Sequence, residues 1–317
     1  MRNRCLLISS VVALAVALAA CGDQWRQPQL NHAPADHPFV PAGTGAMVDR
    51  LIPLVTAWTR SNEASMFAGG DAKKPMDLPL PAFFIDHRGE YALVDTGLSP
   101  LLATDPAAYL GETLAKLGKS ALKEVTIKAE WSAAARLQKL GVDRGQVGRV
   151  ILTHAHFDHT GANRDFPHAA FLLTQPLWDA GRKGDLFSGH WRRDFPDSLR
   201  LQLIDFHGSA PFLTFAGRYD VFGDGSVIVL PMPGHDPGCV GVFVRARTRN
   251  VLLIGDAAYT MRNIRELTMP ARAVDAEAEW DTLGRLRKLT EAAPDILIVP
   301  SHDAAVIRAI PNDPDSF

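Results

Sequence analysis

The chain has 317 residues, a formal net charge of −2 at pH 7 and 47% hydrophobic residues. That length suits one large globular domain or two small ones, with core enough to need no covalent staples. Near-neutral charge without a dense basic run argues against a nucleic-acid partner, because binding phosphates needs a concentrated cationic surface.

Arg2 and Arg4 precede an uncharged, almost wholly apolar run from Cys5 to Ala20 that ends in small residues. These are the parts of a secretory signal, and the run is short for a membrane span. Residues 1–20 are therefore expected to be a signal peptide. The stretch Leu18-Ala19-Ala20-Cys21-Gly22 resembles the lipobox of bacterial lipoproteins. That resemblance implies cleavage before Cys21, lipidation of Cys21, and an anchor in the cell envelope as the only membrane contact. Gly22 stands where an inner-membrane lipoprotein commonly carries aspartate, so the implied location in a Gram-negative host is the periplasmic face of the outer membrane. Of the three cysteines only Cys239 then remains, and no intramolecular disulfide can form. Residues 21–41 are polar and proline-bearing, without helical or strand period, and read as a tether to a catalytic domain over 42–317.

Residues 47–58 carry apolar side chains at helical spacing, broken or begun near Pro53, and suggest a short helix. Residues 61–80 are rich in Gly, Pro and polar residues and read as a loop, with Met66 and Phe67 exposed in it. Either that loop folds back on the core, or the two side chains form a flap lining the substrate pocket. Runs at 82–86 and 91–95 around His87-Arg88-Gly89-Glu90 signal a hairpin whose second strand ends in Val94-Asp95-Thr96-Gly97. Residues 105–140 are mostly helical in pattern, with Ser132 as an N-cap and Gly141 closing the helix it starts. Next, the strand Val150-Ile151-Leu152 runs into Thr153-His154-Ala155-His156-Phe157-Asp158-His159.

A strand at 169–174 and one helical turn at 176–181 precede a long loop at 183–200, in which His190 could line a pocket. Strands follow at 201–206, 212–215, 219–222 and 227–230, the last leading to Pro231-Met232-Pro233-Gly234-His235. Further strands at 240–244 and 251–254 lead to Gly255-Asp256. A helix at 277–293 places Trp280, Leu283, Leu286 and Leu289 on one side, stopped by Pro294. The strand 296–299 then leads to Pro300-Ser301-His302.

Five strands thus end at or beside Asp95, His154, His235, Asp256 and His302. Strand ends collect on one edge of a sheet or sandwich, so polar residues there can meet although distant in sequence. Neutral imidazole and carboxylate are good donors to zinc, and three imidazoles with an open fourth position make a catalytic rather than a structural site.

With these elements in this order, residues 80–305 resemble the metallo-β-lactamase superfamily. The resemblance carries Thr-His-Ala-His-Phe-Asp-His at 153–159, Pro-Gly-His at 233–235, Gly-Asp at 255–256, Ser-His at 301–302 and Val-Asp-Thr-Gly at 94–97. It implies an α/β fold, the αββα sandwich, and a centre for two Zn2+. His154, His156 and His235 would hold one metal. Asp158, His159 and His302 would hold the other, and Asp256 would bridge them. Asp95 would orient the histidine loop from behind. The implied activity is hydrolysis of an ester or lactone carbonyl of a small-molecule substrate by water activated between the metals, and from the ligand set Asp158 is expected to steer that water and shuttle a proton. Asp256 stands where true β-lactamases of the family carry Cys or Ser, and His156 where its diiron oxygen reductases carry Glu. Tyr259, three residues after Asp256, matches a tyrosine that hydrogen-bonds the lactone carbonyl in N-acyl homoserine lactonases. A β-lactam, amide or thioester hydrolase is the alternative, and a non-catalytic envelope metal-binding protein the reading from another class.

Overall fold

The computed structural model describes residue 30, residues 32–185 and residues 188–310. The expected signal peptide at 1–20 and the lipidated Cys21 lie outside the described residues. Strands β1 (Arg50–Asn62), β2 (Pro75–His87), β3 (Glu90–Val94), β4 (Val125–Ile127), β5 (Val147–Ile151), β6 (Ala170–Thr174) and β7 (Arg200–Ile204) form one sheet, ordered β4-β1-β2-β3-β5-β6-β7. Strands β8 (Tyr219–Asp220), β9 (Val227–Pro231), β10 (Val240–Arg245), β11 (Asn250–Leu253) and β12 (Leu297–Val299) form the other, ordered β12-β11-β10-β9-β8. From β3 through β7 the first sheet is parallel. Parallel neighbours need crossovers, and helices Ala133–Lys139 and Gln175–Lys183 supply two of them.

The inner strands of both sheets are apolar on both faces, which is why they read as continuous hydrophobic runs, whereas the edge strand β7 leaves Leu201 and Leu203 exposed. Alternate residues divide between two layers. Val94 and Ile151 meet Val229, Val242 and Leu253 between the sheets. Their neighbours Leu93, Val150 and Phe171 turn outward beneath Leu137 and Leu177 of the crossover helices. On the far side, Phe243 and Leu252 pack under Leu283, Leu286 and Leu289 of helix Ala276–Ala292. The fold is the αββα sandwich that the motif order implied.

Three readings change. Residues 47–58 do not form a helix; most of them lie in β1, where Leu51, Ile52, Leu54 and Val55 are all buried. A strand buried on both faces shows apolar residues at every position, so helical spacing is present in it by default. The loop expected at 61–80 is the end of β1, a short helix Glu63–Met66 and the start of β2. Its prolines misled: Pro75 and Pro79 sit where β2 pairs with β1 alone, because β3 pairs only from Phe83 onward. A proline there forfeits no ladder bond on the open side. Residues 212–215 form no strand but a tight turn closed by one bridge between Phe212 and Phe215.

Residues 32–40 lie along helix Ala276–Ala292. Trp280 Nε1 donates to the His32 carbonyl at 3.0 Å, His37 Nε2 meets Asp281 at 2.7 Å, and Val40 bridges to Leu213. This part of the segment read as a tether is therefore laid on the domain. Among the described residues no helix is long and apolar enough to cross a membrane.

Phe243 is fully buried between β10 and its helix, with its ring 5.2 Å from that of Phe212. Phe243→Ala should cost about 3–5 kcal/mol of stability, read from chemical denaturation.

A candidate two-metal centre at the strand ends

The centre begins with a bend. Asp95, just past β3, has a φ of 59°, in the left-handed region that non-glycine residues rarely adopt. Three bonds hold it there: its carboxylate accepts from Thr153 N (2.8 Å), Thr153 Oγ1 (2.8 Å) and His159 Nδ1 (2.7 Å). One side chain thereby fixes both ends of the histidine loop that follows β5. The second sheet joins the same loop through Val240 N, which donates to the Thr153 carbonyl at 2.9 Å. Gly255, with φ 53°, lets β11 turn toward the loop, since a Cβ there would meet Thr153 Oγ1 at 2.8 Å.

Asp256 lies at the middle. Its Oδ2 is 3.3 Å from His302 Nε2, 3.5 Å from His235 Nε2 and 3.7 Å from His154 Nε2. Its Oδ1 is 3.3 Å from His159 Nε2. Asp158 Oδ2 approaches His159 Nε2 at 3.7 Å and His302 Nε2 at 3.9 Å. His156 Nδ1 lies 3.2 Å from His235 Nε2. The donors fall into two groups, His154, His156, His235 and Asp256 in one and Asp158, His159 and His302 in the other, each with ligand atoms within 4.8 Å of one another. All seven residues singled out as ligands are brought together.

The arrangement fits metal ions. His154 Nε2, His159 Nε2 and Asp256 Oδ1 are buried without a hydrogen bond. Each such atom costs about 1–3 kcal/mol unless something satisfies it. The rings are also turned the right way. His159 Nδ1 faces the Asp95 carboxylate, His302 Nδ1 the Pro79 carbonyl at 3.0 Å, and His235 Nδ1 the Arg272 carbonyl at 3.3 Å. These partners only accept, so each Nδ1 carries the proton and each Nε2 presents a lone pair inward. Thr153 Oγ1 donates to Asp95 and accepts from His154 Nδ1 at 3.1 Å, with the same result.

Burial holds His154, His156 and His235 below the usual histidine pKa, so they are neutral donors at neutral pH. For His159 burial also opposes the proton, but the carboxylates of Asp256, Asp158 and Asp95 outweigh it and raise the pKa. Burial would raise Asp256, yet the imidazoles of His302, His159 and His154 hold it well below the usual carboxylate range.

The remaining candidates divide. Tyr259 is beside the centre, its ring centroid 5.4 Å from that of His235 and 5.7 Å from that of His302. Met66 and Phe67 are not exposed: both are buried with Leu78 against Tyr259. Main-chain bonds from Ala271 N to Met66 O and from Ala68 N to Met269 O fix that turn against the domain. His190 is buried behind His156, its Nε2 bonded to Asp236 Oδ1 at 2.7 Å. Sequence reasoning passed over Asp236, although an acidic residue directly after His235 was a usable signal. It also passed over Asp194. That carboxylate is buried in the 183–200 loop, where it accepts from Tyr109 Oη (2.8 Å) and Thr160 Oγ1 (3.4 Å) and so braces the helix that carries Asp158 and His159. Nothing in the pattern of that loop marks it.

Comparison with known proteins agrees with the geometry. Residues 77–302 match the sequence model of the metallo-beta-lactamase superfamily. The chain is similar to the N-acyl homoserine lactonase AttM of Rhizobium radiobacter, 30% identical over 244 residues, covering 76% of this chain and 84% of the relative. It is also similar to a probable metallo-hydrolase of Mycobacterium tuberculosis, 31% identical, covering 67% of this chain and 70% of the relative. Among solved structures, an N-acyl homoserine lactone hydrolase with N-hexanoyl-L-homoserine at its catalytic metal centre superposes with a TM-score of 0.69 at 20% identity, covering 85% of this chain and 99% of that one. AidC, a dizinc quorum-quenching lactonase, superposes with a TM-score of 0.57 at 14% identity, covering 82% of this chain and 90% of that one.

Asp95→Ala should remove three hydrogen bonds and leave alanine in a left-handed conformation. The expected loss is about 3 kcal/mol of stability together with a roughly 10–100-fold weaker hold on metal, measured by denaturation of the metal-free protein and by metal content after dialysis.

Proposed function

The chain belongs to the metallo-β-lactamase superfamily and is a metallo-hydrolase of it, and from that premise we propose that it opens the ring of N-acyl homoserine lactones with two zinc ions. The observation that carries this reading is the place of Tyr259, three residues beyond Asp256 and ring to ring with both His235 and His302. A phenol there reaches substrate held at either donor group. The named activity of the AttM relative supports the same substrate class.

Bound metal ions supply an activated water at neutral pH and a positive field for the developing oxyanion. The seven residues above would hold them, with Asp256 shared. The chain's own groups do the rest. Tyr259 donates a hydrogen bond to the lactone carbonyl oxygen as negative charge grows on it. Burial, followed by the charge of Asp256, raises its pKa well above the usual tyrosine value, so the phenol stays protonated and remains a donor. Asp158 is the one carboxylate of the set that is not fully buried, with 19% of its side chain exposed. It accepts the proton of the attacking water and returns it to the alkoxide when the ring C–O bond breaks. The product is the N-acyl homoserine. The same proposal keeps the chain in the cell envelope, anchored through Cys21.

On a panel of lactones, thioesters and a chromogenic cephalosporin, the zinc-loaded protein should turn over N-acyl homoserine lactones fastest. Tyr259→Phe should lower kcat by roughly 10²-fold with little change in KM, and His154→Ala should abolish hydrolysis. Preference for a thioester or the cephalosporin would overturn the substrate assignment. Cys21→Ala should move the protein out of the membrane fraction of cells, as followed by immunoblot.

A further inference from the structure

We propose that Asp236 is a positioning residue that keeps His156 turned with Nδ1 toward the metal centre, and that His190 in turn pins Asp236. The inference rests on the two-metal reading above and concerns a residue that reading leaves without a role.

Four of the five ring ligands share one arrangement, with Nδ1 bonded outward and Nε2 facing in. His156 is reversed. Its Nδ1 lies 3.2 Å from His235 Nε2, so the nitrogen pointing away from the centre is Nε2. That atom is buried and makes no hydrogen bond. It faces Asp236 Oδ1 at 3.7 Å. A histidine that ligates metal ordinarily gives its other N–H to a carboxylate or carbonyl, which fixes the ring and strengthens the ligand. Asp236 is the carboxylate in that position.

Asp236 is itself held in place. It is 1% exposed. Its Oδ2 accepts from the amide of Ala155, the residue between His154 and His156, at 3.2 Å. Its Oδ1 accepts from His190 Nε2 at 2.7 Å. His190 reaches that point because its loop pairs with the histidine loop: His156 and His190 form an antiparallel bridge, and Phe157 N donates to the Gly189 carbonyl at 3.0 Å. Gly189, at φ 80°, allows the approach, since a Cβ there would come within 3.0 Å of the His156 ring. Two neighbours in sequence, His235 and Asp236, thus supply one ligand and the acceptor that orients another.

The same three side chains, His156, His190 and Asp236, also place donor atoms within 4.8 Å of one another and could themselves enclose a cation. The geometry favours the positioning role. The His190–Asp236 separation is a hydrogen-bond length, and a metal in this second group would require His156 to present lone pairs from both nitrogens at once.

The test is a competition titration of the metal-free protein with zinc against a chromophoric chelator, paired with visible spectra of the cobalt-loaded protein. The wild-type chain should bind two equivalents. Asp236→Asn should weaken one of them by roughly 10–100-fold, leave the other unchanged, and shift the cobalt bands of the weakened site alone. His190→Ala should weaken the same equivalent, and His190→Gln, which keeps an N–H donor at about the same reach on a more flexible arm, should restore part of it. If Asp236→Asn binds both equivalents as the wild type does, the positioning role is overturned while the centre stands. Equal loss of both, with a lower unfolding midpoint of the metal-free protein, would assign Asp236 a general structural role instead. A third wild-type equivalent that vanishes in Asp236→Asn would make the cluster a separate metal site. A wild-type chain that binds no metal would overturn the two-metal reading itself.

Discussion

One buried carboxylate governs this structure. Asp256 lies within 3.7 Å of the Nε2 atoms of four histidines from three other chain segments, His154 and His159 in one, His235 and His302 in the others. An ionised carboxylate taken from water into a protein interior costs several kcal/mol unless charge or hydrogen bonds compensate it. Four imidazoles with inward lone pairs are poor compensation on their own, because lone pairs repel an anion. Two states of the centre resolve this. Protons can be taken up, as the raised pKa values of His159 and His302 indicate, or divalent cations can occupy the space between donors. The strand ends carry a site that is costly when empty of positive charge, and a metallo-hydrolase needs a site of that kind.

The αββα layering makes such a concentration of polar groups tolerable. Val94, Ile151, Val229, Val242 and Leu253 fill the space between the sheets with branched apolar side chains, and the chemistry begins only where the strands stop. Asp95 and Asp256 each follow within three residues of a strand's last residue. The sheets are also tied to each other there, through Val240 N to the Thr153 carbonyl, while Ser301 N to the Gly255 carbonyl joins the ends of β11 and β12 within the second sheet. A shift of one sheet against the other would pull His235, Asp256 and His302 away from the histidine loop together. Core packing therefore sets the geometry within each donor group, since each draws residues from both sheets.

How much of this was legible in the sequence depends on how local each signal is. The ligands were legible because histidine and aspartate directly after apolar strands are anomalous, and because five such strand ends recur in one order. Strands buried on both faces were legible as apolar runs except β1, where a continuous run also satisfies helical spacing. The prolines of β2 counted against a strand because nothing local says that β3 leaves that stretch unpaired on one side. Met66 and Phe67 read as exposed because their neighbours are polar. Their burial comes from contact with Leu78 and Tyr259, and the contact with Tyr259 joins positions nearly two hundred residues apart.

Least legible were the groups that decide which nitrogen of each histidine faces inward. Two of the outer acceptors are main-chain carbonyls, at Pro79 and Arg272, and a carbonyl has no residue type to recognise. Asp95 was found only because it sits in a recognisable turn. Asp194 and His190 lie in a loop without period, and both act through buried partners, Tyr109 and Thr160 for one and Asp236 for the other. The outer acceptors of the histidines fix the tautomer and direction of the lone pairs, which a metal ion reads more strictly than it reads residue identity. The ligand set names the chemistry; its geometry is held by a second ring of atoms that only the folded chain brings together. The 183–200 loop belongs to that ring, since it reaches the centre from both sides, through His190 to Asp236 and through Asp194 to Thr160.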